Sequence, residues 1–193
     1  MIVLSRFTKL PTPIPDLYII EPTVFGDNRG FFMETFNKRE FRELGIDLDF
    51  VQDNHSKSKK GTLRGLHFQN RFPQAKLVRV IRGEVYDVAV DIRENSPSFG
   101  KWFGVILSEE NKKQSFIPKG FAHGFLALTD IVEFTYKCSD YYHPEDEAGI
   151  IWSDPEISIE WPLEEYGISE PLLSEKDKKW QTLKELKFSR FED

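Results

Sequence analysis

The chain has one cysteine, Cys138, among 193 residues. A single thiol cannot close an internal disulfide, so the fold needs no cross-link and a reducing, cytoplasmic compartment fits best. There is no apolar run long enough to span a bilayer, and no charged-then-apolar leader at the N-terminus. Neither a membrane span nor a secretory signal is therefore expected. Positive charge is also in deficit: 26 Lys and Arg against 32 Asp and Glu leave a formal charge of −6. That balance argues against a general nucleic-acid binder.

One long segment lacks the other sign instead. From Asn54 to Gly83 there is no acid, but there are Lys57, Lys59, Lys60, Arg64, Arg71, Lys76, Arg79 and Arg82. From Asp140 to Asp177 the balance reverses, with Lys176 the only base among 12 acids. The two stretches could simply neutralise each other on a solvated surface. They could also mark a local anion site, and the discriminator is whether the basic residues alternate with ones that must point inward.

With 39% hydrophobic and 30% charged residues, the composition is that of a soluble globular protein of one domain. Between Ile19 and Ile159 the chain reads as short strands separated by turn signals, the pattern of an all-β sandwich or barrel. In "GEVYDVAVDIR", Tyr86, Val88, Val90 and Ile92 face one way, and Asp87, Ala89 and Asp91 the other. Gly83-Glu84 before it suits a tight hairpin turn with glycine first. "KWFGVILS", "QSFIPKG", "FAHGFLALT" and "VEFTYKCS" follow as further strands. Helices are expected over "NKREFRELG" and over the C-terminal "SEKDKKWQTLKELKFSRF", the latter opened by Ser174 as a cap with Asp177 three residues on. The expected organisation is a single domain over 1–193, with a barrel core over about 15–160 and a partly helical segment over 161–193.

Strand parity locates the chemistry. Tyr136 shares a face with Val132, Phe134 and Cys138, His123 alternates with Phe121 and Phe125, and His67 shares parity with Leu63. Each alone is most simply a core residue with its hydrogen bond satisfied. Three together beside a basic segment point to a site. The four histidines do not suit a metal: "GLHFQ" offers one, His55 and His143 lie in polar turn-like stretches, and no carboxylate stands near. An imidazole, a phenol, a lysine and a set of arginines suit proton transfer at an acidic carbon beside a carbonyl.

From about Pro15 to Asp177 the chain carries "VFGDNRGFFMETF", "FVQDNHSKSKKGTLRGLHFQ", "GEVYDVAVDIR", "IPKGFAHGFLAL", "EFTYKCSDYY", "GIIWSD", "ISIEWP" and "LSEKD". This ordered set is a resemblance to the dTDP-4-dehydrorhamnose 3,5-epimerase family, metal-free enzymes of the cupin type. It implies a mainly β, cupin-type jelly-roll barrel with a few short helices, including at the C-terminus. It implies His67 as general base, Asp177 as its partner, Tyr136 as the proton donor on the opposite face of the sugar, and Lys76 stabilising charge at the C4 oxygen. His123 would lie near the sugar and Arg64 at the diphosphate. Arg29, Glu34, Gln52, Asp53, Asn54, Glu147 and Lys176 would contact the nucleotide. The family also implies a homodimer that exchanges N-terminal strands, so that Arg29 and Glu34 serve the neighbouring subunit's site.

The expected substrate is dTDP-4-keto-6-deoxyglucose, with no cofactor and no metal. Its 4-keto group acidifies the hydrogens at C3 and C5, so one base and one acid could invert both centres in succession. Two rivals stay open: an enzyme of the same fold that inverts one carbon or moves the ketone, and a non-catalytic sugar-nucleotide binding module.

Overall fold

The computed structural model describes residues 5–186. Two antiparallel sheets face each other as a jelly roll. One, in order β1-β2-β10-β7-β12-β5, contains Phe7–Pro11, Tyr18–Pro22, Gln114–Ile117, Lys76–Arg82, Ile131–Cys138 and Gln52–Lys59. The other, in order β13-β6-β11-β8-β9, contains Glu147–Gly149, Leu63–Gln69, Phe121–Ala127, Glu84–Asp91 and Trp102–Ser108. A separate two-stranded hairpin pairs β3 (Phe25–Asp27) with β4 (Gly30–Phe32). Strand β1 begins at Phe7, ahead of the expected barrel start near residue 15.

Between the sheets lies one apolar core. Val78, Val80, Ile117, Val132 and Phe134 from the first sheet meet Val85, Ala89, Leu107, Phe121 and Phe125 from the second. The outer face of the second sheet is also covered: Leu66, Val88, Val90 and Ile92 pack against Ile150, Ile157 and Leu183 of the C-terminal segment. A strand buried on both faces needs apolar residues at every position. β11 is accordingly buried throughout, whereas β5 alternates exposed and covered residues.

The helix expected in "NKREFRELG" is α1, Lys38–Glu43. Asn37 caps it, its side chain accepting from the backbone of Arg39 and Glu40. Gly45, at φ +83°, takes the left-handed conformation just beyond it. Phe41 anchors α1 against Phe7 and Phe36, with ring centroids 5.0 and 4.9 Å away.

Three expectations are corrected. Gly83 does not close a hairpin, because β7 and β8 lie in different sheets. It turns the corner between them at φ +79°, and a Cβ there would sit 2.2 Å from the Ile131 carbonyl oxygen. The C-terminal α-helix is replaced by an extended strap with a turn at Ser174 and one short 3₁₀ turn at Leu183–Glu185. Backbone bonds to the barrel explain the change: Leu172 N–H donates to Gly61, Leu63 N–H to Leu172 and Ile151 N–H to Gln181. These tertiary bonds override helix propensity; the last part of the expected helix, 187–191, lies outside the described residues.

The third correction concerns parity on β6. His123 faces His67 across β11–β6, but Phe125 faces Arg64, a shift of one residue. Leu63 therefore packs outward with Leu126 and Leu128, while Arg64 and His67 share the inner face. Such a bulge re-aims side chains that strict alternation would separate.

Candidate active site

His67 on β6 and Tyr136 on β12 come from opposite sheets and line one cleft of about 330 Å³. Lys76, at the start of β7, shares it with Gln52, Asn54, Gln74, Tyr142 and Glu147. His67 Nε2 lies 2.5 Å from Asp177 Oδ1. Asp177 is delivered by the C-terminal strap and is only 3% exposed. Its other oxygen accepts from Ser174 Oγ at 2.7 Å, and the Trp180 indole N–H donates to Oδ1 at 3.2 Å. Burial pushes this carboxyl up, but the bond and charge of His67, helped by Ser174 and Trp180, outweigh it and hold the pKa below the usual value.

Burial above all pushes the Tyr136 phenol up, so it stays protonated, while the charge of Arg64 acts the other way. Burial lowers the Lys76 ammonium, opposed by the charges of Cys138, Asp87 and Glu147. Arg64 is steadied by Ser58 Oγ at 3.1 Å and the Lys57 carbonyl at 3.4 Å. At the rim, burial also raises Glu147, yet Lys176 at 2.6 Å and the Tyr142 hydroxyl at 2.9 Å lower it further. His123 lies in the barrel interior, its Nε2 2.7 Å from Asp87 Oδ2.

The acid-free segment thus divides. Lys76 lines the cleft, Arg64 is exposed but tied to Ser58, Lys57, Lys59 and Lys60 are exposed, and Arg71 pairs with Asp146 at 3.2 Å. Asp53 does not join Gln52 and Asn54: alternation puts it on the opposite face of β5, paired to Lys137 at 2.9 Å. Arg29 and Glu34 also lie elsewhere. Arg29 sits on the β3–β4 hairpin, its guanidinium 2.5 Å from Asp27, and lines a cleft formed by that hairpin. Glu34 pairs with Arg6 at 2.5 Å and accepts from Asn37 at 3.0 Å.

Asp87, Tyr142, Ser174 and Trp180 join the site beyond the residues expected from the sequence. Asp87 carried a signal, an acid on the same strand face as apolar Ala89, which an inward His123 answers. Trp180 carried none. Among the described residues no group of three or more His, Cys, Asp or Glu side chains is arranged to hold a metal ion.

A jelly roll of two facing antiparallel sheets with a polar cleft between them is the fold of the cupin-like epimerases. The chain belongs to the dTDP-4-dehydrorhamnose 3,5-epimerase family, whose model matches residues 11–185. It is 58% identical over 177 residues to the dTDP-4-dehydrorhamnose 3,5-epimerase of Escherichia coli, covering 91% of this chain and 94% of that one. To the enzyme of the same name from Methanothermobacter thermautotrophicus it is 54% identical over 182 residues, covering 94% and 97%. Among solved structures, the dTDP-6-deoxy-D-glucose-3,5-epimerase of Legionella pneumophila in complex with dTDP-4-keto-L-rhamnose matches with a TM-score of 0.90 and 53% identity. That match covers 94% of this chain and 95% of the other.

Proposed function

We propose that this chain inverts C3 and C5 of dTDP-4-dehydro-6-deoxy-D-glucose to give dTDP-4-dehydro-L-rhamnose. The observation that carries the reading is the His67–Asp177 pair on one wall of the cleft with Tyr136 on the other. With Nε2 held by Asp177, Nδ1 is the ring nitrogen left to take a proton from carbon. Asp177 fixes that tautomer and stabilises the imidazolium that forms. Tyr136, kept protonated by burial, returns a proton from the opposite face. Lys76 stabilises the enolate oxygen at C4. Arg64 takes the diphosphate, while Gln52, Asn54, Glu147 and Lys176 hold the nucleotide at the rim and His123 supports the sugar.

The working unit is a homodimer in the cytoplasm, in which exchanged N-terminal strands carry Arg29 and Glu34 to the neighbouring site. In support, the hairpin that bears Arg29 exposes Phe25, Phe31 and Phe32 by 51, 58 and 63%. No helix of the described residues is long and apolar enough to cross a membrane.

The test is incubation with the 4-keto substrate in heavy water. Wild type should place deuterium at both C3 and C5, and His67→Ala at neither while still binding dTDP. Tyr136→Phe should keep some exchange while inversion falls by roughly 10²–10⁴-fold, the scale of a lost general acid. Turnover by His67→Ala would refute the base, and undiminished inversion by Tyr136→Phe would refute the acid.

A further inference from the structure

Asp177 is held more closely than one imidazole requires. Its Oδ1 accepts from the Trp180 indole N–H at 3.2 Å as well as facing His67 Nε2 at 2.5 Å, and Ser174 holds Oδ2 at 2.7 Å. A carboxylate turns easily about its last side-chain bond, and here donors on both oxygens oppose that rotation. The indole has a seat of its own. A Cβ added to Gly149 would fall 2.5 Å from Trp180 Cε2 and 2.6 Å from its Nε1. Gly149 is also the residue paired with His67 across β13–β6. The ring therefore lies over the strand position opposite the base, edge-on to it, with centroids 6.2 Å apart and planes at 70°.

We propose that Trp180 is a positioning residue for the His67–Asp177 pair, and that Gly149 is the seat that lets its indole reach the carboxylate. The proposal rests on the reading of His67 as the base. The indole N–H fixes the plane of the Asp177 carboxylate, and through it the orientation of the imidazole toward the sugar. Trp180 meets no reacting atom in this scheme. Its effect should therefore appear in turnover and leave nucleotide binding untouched.

Two substitutions reach the device from different sides. Trp180→Phe keeps an aromatic ring beside Gly149 and removes the N–H together with the rest of the indole's second ring. Gly149→Ala leaves every polar group in place and displaces the ring. For both, kcat should fall by about 10- to 100-fold, the scale of misplacing a reacting group by an ångström. Kd for dTDP and the melting temperature of Trp180→Phe should stay near wild type. The double variant should be little worse than either single one, because both remove the same contact. Wild-type kcat in Trp180→Phe, with His67→Ala inactive, would overturn the positioning role and leave the base assignment standing. Loss of dTDP binding and of melting temperature in step with kcat would make Trp180 a packing residue and also overturn it. An active His67→Ala would instead refute the base reading itself.

Discussion

His67 and Asp177 are 110 residues apart in the chain, and their contact sets the ionisation of a carboxyl that burial alone would drive toward its neutral form. The native pKa of Asp177 lies below the usual value. Such a group contributes stability that is fully present above its unfolded pKa, roughly 3.9, and lost as pH falls through the lower native value. Asp177→Asn removes the charge but keeps the shape. The difference in urea midpoint between wild type and Asp177→Asn should thus shrink as pH falls below about 4. A difference that vanished between pH 7 and 5 would mean that the carboxylate is not held by this pair. At the same scale, His67, Tyr136 and Asp177 were legible because resemblance named them and parity put Tyr136 inward. Asp53 shows the limit: alternation separates it from Gln52 and Asn54 on β5, so a nucleotide motif read as consecutive letters includes a side chain that points away.

Among the elements, β8, β9, β11 and β12 were readable from alternation or unbroken apolar runs, and α1 falls within the expected "NKREFRELG". The bulge on β6 was not. A slip of one residue leaves no mark in composition, yet it decides that Arg64 and His67 share a face. The corner at Gly83 and the strap over 172–183 depend on contacts between distant segments, which local propensity does not encode. Glycine is what allows the bulge. Gly65 has φ +112°, and a Cβ there would meet the Gly124 Cα and the His123 carbonyl oxygen, each at 2.6 Å. Gly167 also has positive φ, at +63°, but opens onto free space. Gly167→Ala should therefore cost only the backbone penalty, of order 1–3 kcal/mol. Gly65→Ala should cost clearly more in denaturant unfolding and should also lower turnover, because it pushes β6 from β11 beside His67. Equal costs would show that the two strands can part without consequence.

At the scale of the whole molecule, the single chain leaves two things unexplained: an exposed aromatic hairpin, and the placement of Arg29 and Glu34, expected at the nucleotide, outside the cleft. Phe31 and Phe32 are more than half exposed, β3 and β4 pair only with each other, and a lone two-stranded hairpin is marginal in water. Exposed apolar surface of this kind usually meets a partner. Composition could not reveal this, since an aromatic that faces a second copy reads the same as one that faces the core. If the hairpin serves the neighbouring site, subunits defective in different residues should complement each other. In a dimer of one His67→Ala chain and one Arg29→Ala chain, the site built on the Arg29→Ala chain keeps its own His67 and receives an intact Arg29 from its partner. The other site receives both defects. Random re-pairing after mild denaturation makes half the dimers mixed, each with one intact site, so activity should return to about a quarter of wild type. If Arg29 acts on its own chain, every site in every dimer carries a defect, and mixing should restore nothing above the sum of the two variants alone.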